Sequence, residues 1–215
     1  MNGSTLDWAK FYLSKGFSLI PLRSRDKASA KSSWKEYQTK KPTESELEDW
    51  FAKGDKNIGI VTGGISGIVV IDLDSEAAEK FAIEKGFPKT PSVKTAKGCH
   101  LYYKYPNDIE VRNFQKRDDL PNIDLRANGG YVVAPPSIHS SGSVYEWIEG
   151  KGLDDLSLAE FPDGILAKKR GEKTPTKELL AGVPEGKRNE SLFRICNSFK
   201  HTGSTLEECL SFVVG

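Results

Sequence analysis

The spacing of apolar residues changes several times along this chain, and each change predicts an element. Leu6, Ala9, Phe11, Tyr12 and Leu13 recur at helical spacing, which predicts a helix over 6–15 that stops at Gly16. The apolar run 17–22 predicts a short strand, the polar and basic stretch 23–33 a loop, and 34–37 the start of a short helix. At Pro42-Thr43-Glu44-Ser45-Glu46, a threonine precedes a glutamate by three residues, the signature of a capping box. The helix it opens turns Leu47, Trp50 and Phe51 inward and ends near Gly54. Strands are predicted at 57–62 and 67–74, separated by Gly63-Gly64, and a helix at 75–86 with Gly86 as its stop. Strand patterns then dominate, at 92–95, 100–105, 123–127, 130–134 and, after the turn Ser140-Ser141-Gly142-Ser143, at 144–148. Helices and strands are both present without strict βαβ repetition, so the predicted class is α+β with a mixed sheet.

The composition shifts after Phe161. Lys168-Lys169-Arg170-Gly171-Glu172-Lys173-Thr174-Pro175 is charged and punctuated by Gly and Pro, which reads as a linker, and helical patterns return at 182–200 and 205–214. The expected organisation is a catalytic domain over 1–165, a linker over 166–180 and a small helical region over 181–215. The last helix has no stop signal before Gly215, so further domains of a longer polypeptide are expected.

With 37% hydrophobic and 28% charged residues the chain can form a core. No apolar run approaches the roughly 20 residues that span a bilayer, and the first ten residues lack the layout of a secretory signal; a cytoplasmic protein with no membrane partner is expected. Cys99, Cys196 and Cys209 are far apart and none belongs to a C-x-x-C pair, which argues against a structural zinc site. The net charge of +1 does not point to nucleic acid, but its distribution is uneven. Residues 1–41 carry nine Lys/Arg against three Asp/Glu, whereas 42–90 carry five against ten. A basic head facing phosphate and an acidic stretch holding metal would produce this pattern; so would a charge-mixed solvated surface.

Three groups of residues carry candidate chemistry. The first is Ile71-Asp72-Leu73-Asp74, at the end of an apolar run. Strand alternation puts Asp72 and Asp74 on one face. Two close carboxylates raise each other's pKa, and a hard divalent cation relieves that conflict. Exposed strand-end aspartates, or caps of the following helix, are the alternative. The second is Ile123-Asp124-Leu125-Arg126, where Asp124 can serve as a third ligand and Arg126 can bind phosphate, or the two can form a local ion pair. Gly129-Gly130 follows, a place for a sharp turn or a close ligand approach. The third is Thr95-Ala96-Lys97-Gly98-Cys99-His100, a glycine loop entering a strand. Here Thr95, Lys97 and His100 are candidate nucleotide-binding residues, with a protonated His100 bound to a phosphate oxygen; a hydrogen-bonded sheet histidine is the alternative. Three carboxylates with a phosphate binder form the inventory for two-metal phosphoryl transfer.

This ordered set resembles the bifunctional primase-polymerase (Prim-Pol) domain of the archaeo-eukaryotic primase superfamily. The resemblance runs through Phe17-Ser18-Leu19-Ile20-Pro21-Leu22, a Lys-rich loop and Trp34. It continues through Asn57-Ile58-Gly59-Ile60-Val61-Thr62-Gly63, Val69-Val70-Ile71-Asp72-Leu73-Asp74, the Thr95 to His100 loop with Leu101-Tyr102-Tyr103, and Ile123-Asp124-Leu125-Arg126 with Gly129-Gly130-Tyr131-Val132-Val133-Ala134-Pro135-Pro136-Ser137. It covers roughly residues 5–150. It implies a split pair of α/β modules, the second like an RNA-recognition motif, with the site between them. It further implies that Asp72, Asp74 and Asp124 bind Mg²⁺ or Mn²⁺ and that His100 binds the incoming nucleotide's phosphates. Cys99 stands where the family often has a second glycine before the histidine. Gly186-Lys187-Arg188-Asn189-Glu190-Ser191-Leu192 resembles the start of the small helical domain behind such primases.

The expected activity is template-dependent joining of nucleoside triphosphates on DNA template and primer, with primer initiation also within reach of the fold. Lys27, Lys31 and Lys35 of the basic head are candidate nucleic-acid or phosphate contacts. A metal-dependent nuclease or phosphodiesterase would use the same carboxylates to activate water. A nucleotide-sugar glycosyltransferase also uses D-x-D, and an inactive nucleic-acid-binding module would need no metal.

Overall fold

The computed structural model describes residues 3–107, 109–115, 120, 122–162 and 165. Helix α1 (Thr5–Ser14) opens with a capping box between Ser4 and Asp7, and α2 (Glu44–Phe51) with the expected one between Thr43 and Glu46. Between them lie strand β1 (Ser18–Leu22) and a 3-10 turn at Lys35–Gln38, in the place of the expected short helix. Strand β2 (Asn57–Val61) and strand β3 (Ile68–Leu73) lead to helix α3 (Glu76–Glu84). The remaining strands are β4 (Ser92–Lys94), β5 (Cys99–Lys104), β6 (Ile123–Arg126), β7 (Tyr131–Ala134) and the two-residue β8 (Glu146–Trp147).

The fold is α+β, and the strands expected in a mixed sheet form two sheets, ordered β1-β2-β7 and β6-β3-β5-β4-β8. Every pairing between these strands is antiparallel. The chain passes from one sheet to the other three times, after β2, after β6 and after β7. The first two passages depend on glycine. Gly63 has φ +99°, and a Cβ there would collide with Asn128, a residue of the second passage. Gly130 touches Asn113 so closely that a Cβ would lie 2.5 Å from its side-chain oxygen. These first two passages therefore abut, and Asn128 ties them by accepting from the Gly64 amide. No alternation pattern signals this partition.

One apolar cluster joins the sheets: Leu19, Ile58, Ile60 and Val133 from the first pack with Val70, Tyr102 and Val93 from the second. Tyr12 of α1 lies in the same cluster, and its hydroxyl donates to the Pro135 carbonyl at 2.9 Å. The opposite face of the five-stranded sheet carries Val69, Ile71, Leu73 and Tyr103, with Ala78 and Ala82 of α3 also buried. The strand period of two thus assigns even positions of β3 to the inter-sheet core and odd positions to the α3 side. The expected linker at 166–180 and helical region at 181–215 lie outside the described residues. No helix among the described residues is long and apolar enough to cross a membrane.

Candidate metal and nucleotide site

Register places the acidic residues. In the antiparallel ladder Asp72 of β3 stands opposite Asp124 of β6 on one side and His100 of β5 on the other. Asp124, Asp72 and His100 therefore form one transverse row on the inter-sheet face, and Asp74 sits just beyond the end of β3. One carboxylate oxygen from each of Asp72, Asp74 and Asp124 lies within 4.8 Å of the others. Asp72 is buried, Asp124 half-buried and Asp74 exposed. The capping alternative for these aspartates does not hold, because Ser75 caps α3 with its own hydroxyl, accepting from the Ala78 amide at 3.2 Å.

Electrostatics set Asp72 apart. Burial, followed by the neighbouring Asp74 charge, pushes its carboxyl up to about 7, against the opposing pull of Lys27 and Arg126. A buried carboxyl held this far from its ordinary ionisation is under a strain that a hard divalent cation would relieve. The donor set, three carboxylates graded from buried to exposed, fits such an ion.

His100 has its Nε2 at 3.4 Å from the Asp72 carboxylate. Burial, with lesser contributions from Lys27 and Arg126, lowers its pKa to about 3. Burial therefore disfavours the charged imidazole in its contact with Asp72, whereas the expected protonated form is tied to phosphate charge beside the ring. Its Nδ1 is buried without a hydrogen-bond partner, an uncommon deficit. The Tyr145 ring lies 5.9 Å from the imidazole.

Arg126 makes the local ion pair, Nη2 to the Asp124 carboxylate at 3.1 Å. It also lines a cavity of about 240 Å³ with Asp72, His100, Lys27, Trp34 and Tyr145. Both alternatives for Arg126 are thus compatible: it holds Asp124 in place while facing the cavity.

The three basic-loop candidates separate. Lys27 lines the cavity, and its carbonyl accepts from the Tyr131 hydroxyl at 2.9 Å, which ties the loop to β7. Lys31 instead lies 5.2 Å above the Tyr37 ring and 5.0 Å above the Trp50 ring. Lys35 is exposed at the start of the 3-10 turn. Lys27→Ala alone is therefore expected to account for most of the loss of nucleotide or template binding, and to flatten its salt dependence. Lys31→Ala is expected to leave binding near wild type while destabilising the fold by about 0.5–1 kcal/mol. Parallel salt titrations and thermal melts check both.

Thr95 and Lys97 are not brought to this cavity. They sit in the turn joining β4 to β5, where the Thr95 hydroxyl accepts from the Gly98 amide at 3.1 Å, and both line a larger cavity on the α3 side of the sheet. The same parity explains Cys99. Its side chain is one residue from His100 and faces the α3 side, so a thiol where the family often has glycine leaves the inter-sheet face untouched. Gly98 does need to be glycine, since a Cβ would strike the Leu73 carbonyl. His139 is held in its serine turn, its Nδ1 2.8 Å from the Ser141 hydroxyl.

Trp34, Tyr131, Tyr145 and Asn113 line the cavity, and the sequence assigns none of them a role. Trp34 meets Tyr131 edge to face at 5.0 Å. Only Trp34 carries a hint, as an aromatic residue just after a basic loop; the others reach the site through the crossing between sheets.

The family model described as "Bifunctional DNA primase/polymerase, N-terminal" (Prim-Pol) matches residues 9–164. No curated protein matches the chain.

Proposed function

The chain belongs to the Prim-Pol family, an enzyme family of nucleotidyl transfer, and from that premise we propose that it joins nucleoside triphosphates on a primed DNA template with Mg²⁺ or Mn²⁺ as cofactor. The observation that carries this reading is the convergence of Asp72, Asp74 and Asp124, one of them buried and resisting ionisation. These three would hold the cation, which when bound supplies neutralisation of phosphate charge and a lowered pKa for the attacking hydroxyl.

The rest of the work falls to the chain's own side chains. Lys27 and Arg126 contribute positive charge to the cavity wall, and Arg126 keeps Asp124 oriented. His100 presents an imidazole at the junction of the carboxylates and the cavity, where its unpartnered Nδ1 makes it a donor or acceptor in reserve. Trp34 and Tyr131 offer ring surface beside these charges. Phosphate-binding groups next to the carboxylates favour a triphosphate substrate over simple hydrolysis of a phosphodiester. The RNA-recognition-motif-like module is supported by the strand order β6-β3-β5-β4, with α3 following β3.

The test is incubation of the full chain with primed template, labelled nucleotides and Mn²⁺. Extension supports the reading, whereas template cleavage or no reaction overturns it. A second expectation concerns His100. His100→Ala should weaken nucleotide affinity, measured with Ca²⁺ in place of the catalytic ion, by about tenfold to a hundredfold, the worth of one charge-assisted hydrogen bond. Template affinity should change little, and His100→Gln should recover part of the loss. Wild-type nucleotide affinity in the Ala variant would make His100 an ordinary sheet residue.

A further inference from the structure

The larger cavity, about 680 Å³, lies on the α3 side of the five-stranded sheet, back to back with the carboxylate row. Leu73 and Cys99 line it, and their strand neighbours Asp72 and His100 face the other way. Its floor is apolar, with Leu101 and Tyr103 from β5 and Phe87 just after α3. Phe87 is held edge-on against Phe81 at 6.3 Å, and Ile83, also lining the cavity, is 78% exposed. Around this floor stand four exposed lysines, Lys89, Lys94, Lys97 and Lys151, against a single acidic lining residue, Glu79. None of the four is in an ion pair among the described residues, whereas Lys10, Lys15, Lys80 and Lys104 each have a carboxylate within 4.0 Å.

We propose that this cavity is a second, metal-independent binding site for a nucleotide unit, its base on the floor of Leu101, Phe87 and Ile83 and its phosphate among Lys89, Lys94, Lys97 and Lys151. The charge count selects the ligand class. A single-carboxylate amphiphile satisfies one lysine and leaves three, while a phosphate or polyphosphate offers several anionic oxygens to point-charge donors. The volume falls within the range of small-molecule sites. A flat ring gains from an aromatic and aliphatic floor without needing base-specific hydrogen bonds. The site gives Thr95 and Lys97 a place that the carboxylate cavity does not: Lys97 supplies charge, and Thr95 holds the turn that presents it. Free nucleotide and one unit of a single strand share this chemistry.

The two sites separate by their metal requirement. Binding of labelled ATP and of a short single-stranded oligonucleotide is measured on the full chain in EDTA, with laurate as the amphiphile control. Binding of either nucleotide probe is expected; which one binds more tightly identifies the free or strand-borne source. Lys94→Glu with Lys151→Glu, both exposed positions, should weaken that binding at least about tenfold. Asp72→Asn with Asp74→Asn should leave it unchanged. Absence of nucleotide binding in EDTA, indifference to the lysine changes, or tighter binding of laurate than of both nucleotide probes would each overturn the proposal. Loss of primer extension with this binding intact would count against the polymerase reading alone.

Discussion

Replacing Asp72 and Asp74 together by alanine is expected to abolish nucleotide incorporation, by about a thousandfold or more, while the domain stays folded. Removing one preorganised group at a site of developing charge already costs about a hundredfold to a thousandfold. Here two of three converging carboxylates go at once. The fold should survive because neither residue belongs to the apolar cluster and Asp74 is exposed. Primer extension alongside circular dichroism checks both halves. Normal extension by the double variant would remove the carboxylates from the chemistry, and an unfolded variant is distinguished by its lost spectrum.

The second large effect is on stability, and its sign follows from burial. The folded-state pKa of Asp72, about 7, lies above the ordinary aspartate value of 3.8. A group raised in this way contributes nothing unfavourable below about pH 4, where it is protonated in both states. The penalty builds as pH rises from about 4 to about 7, the window in which the unfolded chain ionises the group while the folded chain still holds its proton, and it is fully present at pH 8. Asp72→Asn should therefore stabilise the metal-free protein by a few kcal/mol at pH 8 and by little at pH 4, since each tenfold change in an ionisation constant corresponds to about 1.4 kcal/mol. Mn²⁺ should raise the wild-type melting temperature more than that of the variant. Melts in EDTA at both pH values check the expectation; equal melting temperatures of wild type and variant at pH 8 would mean that Asp72 carries no electrostatic strain.

Local signals made most of the elements legible in the sequence. The Thr43–Glu46 capping box and the glycine stops at positions 16, 54 and 86 mark helices that the structure places within a residue or two. The D-x-D pair and Asp124 could be grouped because alternation assigns faces and the motif order resembles a family. Their adjacency, however, is a property of register: Asp72 lies opposite Asp124 and His100 only because β3 sits between β6 and β5. Pairing between distant segments leaves no local trace, and neither does the division into two sheets, which depends on the contact of Gly63 with Asn128. Thr95 and Lys97 show the converse limit. They precede His100 closely in sequence, yet a tight turn and the parity of β5 turn their surface to the other side of the sheet. The burial that disfavours a charged His100 is likewise something a motif does not reveal.

The most direct measurement is the position of Mn²⁺ in crystals grown with a non-hydrolysable nucleoside triphosphate, located by its anomalous scattering. The account predicts manganese bound by Asp72, Asp74 and Asp124, with the triphosphate reaching His100 and Lys27. Manganese bound elsewhere in the presence of nucleotide, with none of these three carboxylates among its ligands, would contradict it.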